Sequence, residues 1–323
     1  MDTCICNISA LEVYRSHGRL VPELLERPRT SKLASCGVPA RQMLAHDMRR
    51  LGATTQPYHL AFGNPYQASA REDIRRHVYA APLPRGALIR AGRDVLISSP
   101  ELLLVELAGR SDFDEVDLAL IGYELCGTYS LDPDDDSWTG LVEGAGSLTS
   151  KKRIASMASR LGGRRGAGRA KAALELFEDG SNSPMETVLA LLLHLPRRLG
   201  GLGLGPVAMN RRVVTSTGDR WVDIFFVEHG VGVEYKGVRA HSVERTARDD
   251  RRQNKLSSLG VTVLNVWYED LTDDHLFEQL VHDVARTMGV RLRIRAQGFA
   301  SRQKLLRLRL MPAIERFGDH VAG

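Results

Sequence analysis

Aromatic side chains make up only 6% of this 323-residue chain, and it has four cysteines. Cys4, Cys6, Cys36 and Cys126 are too few for a disulfide scaffold in a chain of this length, and they fit the reduced thiols of a cytoplasmic protein. Cys4-x-Cys6 with only distant partners is poor zinc spacing. No stretch approaches the ~18–20 apolar residues that a membrane helix needs. The run Val188–Leu193 reads instead as a buried helix face. The opening MDTCICNISALEVYRSHG has neither a basic leader nor a long apolar segment, which argues against a secretory signal. There is no internal repeat and no low-complexity tract. A chain this long, 43% hydrophobic, has the material for two domains with a core each.

Charge is unevenly placed. The whole chain carries +5, but residues 1–150 hold 15 basic against 20 acidic side chains, and residues 151–323 hold 29 against 19. A basic C-terminal part suits a polyanionic partner, because counterion release drives such binding without any sequence code. Many basic domains bind nothing in particular, so charge alone does not identify DNA.

The segment WVDIFFVEHGVGVEYK, Trp221 to Lys236, has the pattern of a hairpin. A two-residue turn at His229-Gly230 pairs Glu228 with Val231, sets Asp223 opposite Lys236, and leaves Glu234 on the diagonal. Alternation then gives Val222, Ile224, Phe226, Val231, Val233 and Tyr235 to one face and the two acids and the amine to the other. Two carboxylates suit a hard cation such as Mg²⁺, which takes carboxylate oxygens and keeps several waters. A lysine beside such a water can orient it or stabilise charge developing on phosphorus. The bland reading of the same residues is a cross-strand ion pair worth roughly 0.2–1 kcal/mol.

Asp223, ten intervening residues, then Glu234-Tyr235-Lys236 resembles the signature of the PD-(D/E)XK nuclease superfamily. The wider segment, Ser183 to Leu271, is similar to that superfamily's very-short-patch-repair-like endonuclease domains. That branch opens on a Ser-Pro-x-Glu helix start, here Ser183-Pro184-Met185-Glu186, which is equally a capping box with proline at the first helical position. After the hairpin it has a Gly and a His, then a helix with an Asp, Arg, Leu, Gly series, then a strand. Here these are Gly237, His241, Asp249, Arg252, Leu256, Gly260 and VTVLNVWYE. Many members carry Asp where Lys236 stands, so this chain departs from them toward the superfamily's lysine.

The resemblance implies a DNA endonuclease in which Asp223, Glu234 and Glu186 hold Mg²⁺ or Mn²⁺. Lys236 would position the attacking water, and His241 would carry a proton or contact phosphate. Asp249, Arg252, Leu256 and Gly260 recur at helical spacing, so they form one stripe, and Arg245, Arg248 and Arg252 are the candidate DNA contacts; a solvated face is the alternative. A reading from another class keeps the nuclease fold as a scaffold in a DNA-binding regulator or antitoxin. The stretch from about His77 through Gly122–Tyr129 is similar to the middle region of type IV abortive-infection antitoxins, and no residue is carried over from it. An RNA substrate, a homodimer and, for the regulator, a toxin partner stay open.

The fold expected is α/β. A smaller α/β or winged-helix-like module occupies 1–150, with helical periodicity at Leu11–Leu25 and Ala40–Leu51 and strand patterns from about His77 to Leu96. The two helices make a helix-turn-helix conceivable, and two surface helices explain them as well. Asp132 to Glu143 imitates a calcium loop but has Ser137 at the turn position that requires glycine, and reads as a solvated acidic linker. Residues 151–182 read as a basic helical connector, whose Gly162–Gly166 break lacks the Lys-Ser/Thr of a phosphate loop, with Arg164 and Arg165 as phosphate contacts to weigh. A three-layer restriction-endonuclease-like domain with a mixed sheet follows over 183–290. The tail, 291–323, carries basic residues at strand and then helix spacing.

Overall fold

The structure, a computed structural model, describes residues 2–16, 21–67, 70–131, 146–215, 218–236, 254–292 and 297–317. The chain is mixed α/β and forms two compact units that part between Phe177 and Glu178. Among the described residues no helix is long and apolar enough to cross a membrane.

The first unit is built on a six-stranded mixed sheet. Its strands are β1 (Thr3–Ile5), β2 (Arg29–Thr30), β3 (Tyr58–Phe62), β4 (Ile74–Val78), β5 (Leu88–Gly92) and β6 (Val95–Ser98), in the order β2-β5-β6-β1-β3-β4. β1 runs parallel to β6 and antiparallel to β3, and β4 is an edge strand parallel to β3. The helices are α1 (Asn7–Ser16), α2 (Val21–Glu26), α3 (Arg41–Arg50), α4 (Pro100–Ala108), α5 (Glu115–Cys126), α6 (Lys151–Arg160) and α7 (Ala167–Ala173). α4 begins at Ser99, whose hydroxyl accepts from Leu102 N, with Pro100 at its first position. Every residue of PELLLVELA is buried, so this helix is apolar all round because the core surrounds it. Gly122 of α5 lets Phe177 pack against it: a Cβ there would lie 2.3 Å from the ring.

Two expectations change here. Of the two forms expected for it the first unit takes the α/β one, built on a sheet, but it is the longer of the two units and not the smaller. The two predicted helices form as α1 to α3, but β2 lies between α2 and α3. Residues 151–177 belong to this unit and are not a free connector. α6 and α7 pack on α4, burying Ile154, Met157, Ala158, Ala170 and Ala173, because the apolar residues of KKRIASMASRL and AGRAKAA recur on one helical face.

The second unit opens with α8 (Pro184–His194), then a four-stranded mixed sheet of β7 (Ala208–Thr215), β8 (Gly218–Phe226), β9 (Val231–Tyr235) and β10 (Thr262–Val266). β7, β8 and β9 form an antiparallel meander, and β10 pairs parallel to β9. Residues 254–258 are helical. α9 (Tyr268–Thr272), α10 (Asp274–Thr287) and α11 (Phe299–Phe317) complete the unit. α8 packs on β8, β9 and α11. Val222, Phe225, Val261 and Val263 form a cluster around Leu256. Within the C-terminal segment α11 belongs to this unit's core, with Leu306, Leu310, Ile314 and Phe317 buried.

The hairpin register differs from the sequence expectation by two residues. Phe226 faces Val231 and Ile224 faces Val233, so the turn spans residues 227–230. A two-residue type I′ turn would need positive φ at both His229 and Gly230. Only Gly230 takes it, at 64°, so the loop opens to four residues and His229 N donates to Phe226 O at 3.1 Å. A shift of two keeps each side chain on its face, which is why the expected facing survives for Ile224, Phe226, Val231 and Val233.

Candidate active site

Glu186 sits at the third position of α8. Ser183 Oγ accepts from Glu186 N at 3.1 Å, and Glu186 Oε2 accepts from Asn182 N at 2.9 Å. The Ser183 cap is thus formed, but the reciprocal bond of a capping box is not, because Glu186 takes the N–H of Asn182, one residue before the cap. The same Oε2 also accepts from Asn210 Nδ2 at 2.6 Å, and that amide donates as well to Gly180 O at 2.9 Å. Asn210 reaches both because its backbone is left-handed, φ 46°, within β7.

Asn210 faces Asp223 across the β7–β8 pairing, and the regular pattern breaks there. The β8–β9 ladder closes at Ile224↔Val233, and Asp223 and Glu234 are the next residues outward on their two strands. Asp223 Oδ2 accepts from Tyr235 N at 3.1 Å, a side chain standing where a backbone carbonyl would serve in an unbroken ladder. Strict alternation fails at this point too. Val222 packs in the same cluster as Phe225, three positions on, and a Cβ on Gly232 would lie 2.5 Å from Val222 Cγ1. Val222 therefore leaves the face that alternation assigned to it, and the local break turns the Asp223 carboxyl toward the neighbouring backbone.

Glu234, 3% exposed, accepts from Lys236 Nζ at 2.7 Å. Lys236 is anchored through its own N–H to Val266 O of β10 at 2.8 Å. The expected Asp223–Lys236 pairing is thus replaced: the register is shifted by two residues, Asp223 takes the N–H of Tyr235, and the lysine closes on Glu234. Glu186 and Asp223 are near enough to sense each other. Burial first, and then the charge of Asp223, push the Glu186 carboxyl up to about 8 against the hydrogen bonds from Asn182 and Asn210. Among the described residues no three His, Cys, Asp or Glu side chains are gathered closely enough to hold a metal as they stand.

His241, Arg245, Arg248, Asp249 and Arg252 lie outside the described residues, as does the segment Asp132 to Glu143. Leu256 is buried in the sheet's cluster. Of the basic residues weighed elsewhere, Arg307 is buried: it donates to Leu271 O and to Asp274 Oδ1 at 2.6 Å and stacks on Phe277, so it braces the core. Arg164 donates to Ala81 O and Pro82 O and lies over Tyr79. Sequence reasoning missed Asn210, and its only local signal is an amide-bearing residue, tolerant of positive φ, amid a strand pattern. Comparison with protein-family models, with curated proteins and with solved structures gives no match.

Proposed function

We propose that residues 183–290 form a restriction-endonuclease-like domain of the PD-(D/E)XK kind that hydrolyses DNA phosphodiester bonds with Mg²⁺ or Mn²⁺. The resemblance in sequence implies a helix, a hairpin, a helix and a final strand, and α8, the β8–β9 hairpin, the helical residues 254–258 and β10 follow in that order, which supports the reading. The reading rests most on one observation: Glu186 of α8, Asp223 of β8 and Glu234 of β9 are acids each held by fixed donors, Asn182 N and Asn210 Nδ2, Tyr235 N, and Lys236 Nζ, and Glu186 is raised by burial first and by the charge of Asp223 second. Two acids in electrostatic conflict at a buried point fit a divalent cation, which would relieve the conflict and displace the proton that Glu186 otherwise keeps.

Asp223 and Glu234 would hold the ion, within the one or two carboxylates that Mg²⁺ usually takes from protein. When bound, it supplies Lewis-acid polarisation of a phosphoryl oxygen. Asn210 and the cap at Ser183 fix Glu186 at the rim of this group, where its carboxyl orients the shell. Lys236, swung from Glu234, positions a water or offsets charge growing on the phosphate. The basic segment containing Arg245, Arg248 and Arg252 supplies backbone contacts to DNA. Under the superfamily signature His241 carries a proton or touches phosphate.

One observation favours a second reading, a DNA-binding regulator or antitoxin on a silent scaffold: Lys236 Nζ lies 2.7 Å from Glu234 Oε2 and occupies a carboxylate that the ion would need. Cleavage of supercoiled and linear DNA with Mg²⁺ or Mn²⁺ separates the two. The enzyme reading predicts cutting by the intact protein and none by Asp223→Ala or Lys236→Ala. Cutting that survives both substitutions refutes the assigned residues, and metal-independent binding with no cutting supports the regulator.

A further inference from the structure

A cavity of about 850 Å³ in the first unit is walled by basic side chains from separate stretches of chain. Arg75 and His77 stand two apart on β4, and the parallel register puts His59 of β3 beside Arg75, so the three share one face at the edge of the sheet. Arg110 enters from beyond the end of α4, and Arg165 from the turn before α7. His59 Nδ1 lies 2.9 Å from His77 Nε2 with the rings stacked, and both residues line the cavity.

Positive charge in this cavity is not cancelled by its acids. Asp112 is taken up by Arg110, at 2.9 and 2.5 Å. Glu106, on the floor, accepts from Asn7 N, Ser98 Oγ and Tyr79 OH, and burial pushes it up to about 7, so its charge is incomplete at neutral pH. The side chains of Arg75 and Arg165 have no hydrogen bond or ion pair among the described residues. Burial first pushes both imidazoles down to about 4, with His77, Arg110 and Arg75 adding to it for His59, and Arg110 and Arg75 for His77. Asn7 lines the same cavity in a left-handed backbone, φ 54°, its Oδ1 accepting from Arg110 Nη1 at 3.2 Å, and backbone strain of this kind collects at binding sites.

We infer that this cavity binds a phosphate-bearing small molecule of nucleotide size, its phosphate between Arg75, Arg110 and Arg165 and its planar part against the His59–His77 pair. Guanidinium groups recognise phosphate through paired N–H donors, and several converging on one space select a di-anion over a neutral ligand. The volume falls in the range of small-molecule sites and far exceeds that of one bare ion. The site lies within the first unit, so its test is independent of the phosphodiester chemistry proposed for the second.

The test is calorimetry of the full chain in metal-free buffer with ADP, inorganic phosphate and adenosine. ADP is expected to bind once per chain, phosphate to displace it, and adenosine to give no heat. Arg75→Gln and Arg165→Gln are each expected to weaken ADP by about tenfold, the size of one charged hydrogen bond. Both side chains are exposed and unpaired, so circular dichroism is expected to stay that of the parent. Absence of heat with both ADP and phosphate overturns the inference, as does parental ADP binding by the Arg75→Gln/Arg165→Gln double variant. A 5′-phosphorylated oligonucleotide that competes as strongly as ADP would assign the site to a polynucleotide end and overturn the free-ligand assignment.

Discussion

Glu106→Gln is expected to stabilise the first unit, and to do so only as pH rises. Glu106 is held in the core by Asn7 N at 2.8 Å on Oε2 and by Ser98 Oγ and Tyr79 OH on Oε1. Burial outweighs these donors and moves its carboxyl from 4.5 to about 7. Below pH ~4.5 folded and unfolded chains both carry the proton, and the glutamic acid adds no penalty. Between about 4.5 and 7 the unfolded chain has released a proton that the folded chain retains, so stability falls with rising pH. Above 7 the buried carboxylate is ionised and the loss is complete. The difference of about 2.5 pH units corresponds to about 3 kcal/mol at most, because water entry and relaxation lower the cost. Glutamine keeps an acceptor for Asn7 N and turns an amide toward two hydroxyls that can accept from it, so its stability lacks this slope. Hydrogen exchange of α4 amides in parent and variant, from pH 4 to 8, measures the gap directly. A gap that stays flat across that range, or that closes with rising pH, refutes the reasoning.

Two further substitutions probe the frame of the candidate site. Gly232→Ala puts a Cβ 2.5 Å from Val222 Cγ1 and 3.2 Å from Val263 Cγ2, and is expected to cost about 1–3 kcal/mol in urea denaturation followed by Trp221 and Trp267 fluorescence. Ser183→Ala removes the acceptor for Glu186 N and is expected to cost about 1 kcal/mol by the same assay; an unchanged midpoint would mean that the cap is not holding α8.

Features set by neighbouring residues were legible in the sequence. Ser183-Pro184-Met185-Glu186 encodes its helix start in four positions, and α8 begins there. The hairpin's facing was legible for Ile224, Phe226, Val231 and Val233, since an even shift of register leaves alternation intact. The break at Asp223 was not, because it depends on Asn210 in β7 and on the packing of Val222 over Gly232, contacts made between strands. The same limit hid the first unit's sheet order: β1 pairs with β3 and β6, each more than fifty positions away, and no local pattern selects such partners. α6 and α7 carry enough basic residues to suggest a solvated link, yet their few apolar positions fall on one face and bury it. Glu106 and the His59–His77 pair passed unnoticed for a similar reason. Glu106 and His59 are lone polar residues in apolar runs and His77 follows two arginines, and only the pairing of β3 with β4 brings the two histidines together at the cavity that Glu106 also lines.

Manganese binding tests the central claim most directly, since paramagnetic resonance counts bound ions without requiring turnover. Titration of the intact protein is expected to show a divalent site that Asp223→Ala and Glu234→Ala each abolish, while Lys236→Ala, which frees Glu234 from its ion pair at 2.7 Å, retains it. Absence of bound Mn²⁺ at millimolar ion, or a site that persists undiminished in both carboxylate variants, would contradict the proposed metal-dependent chemistry.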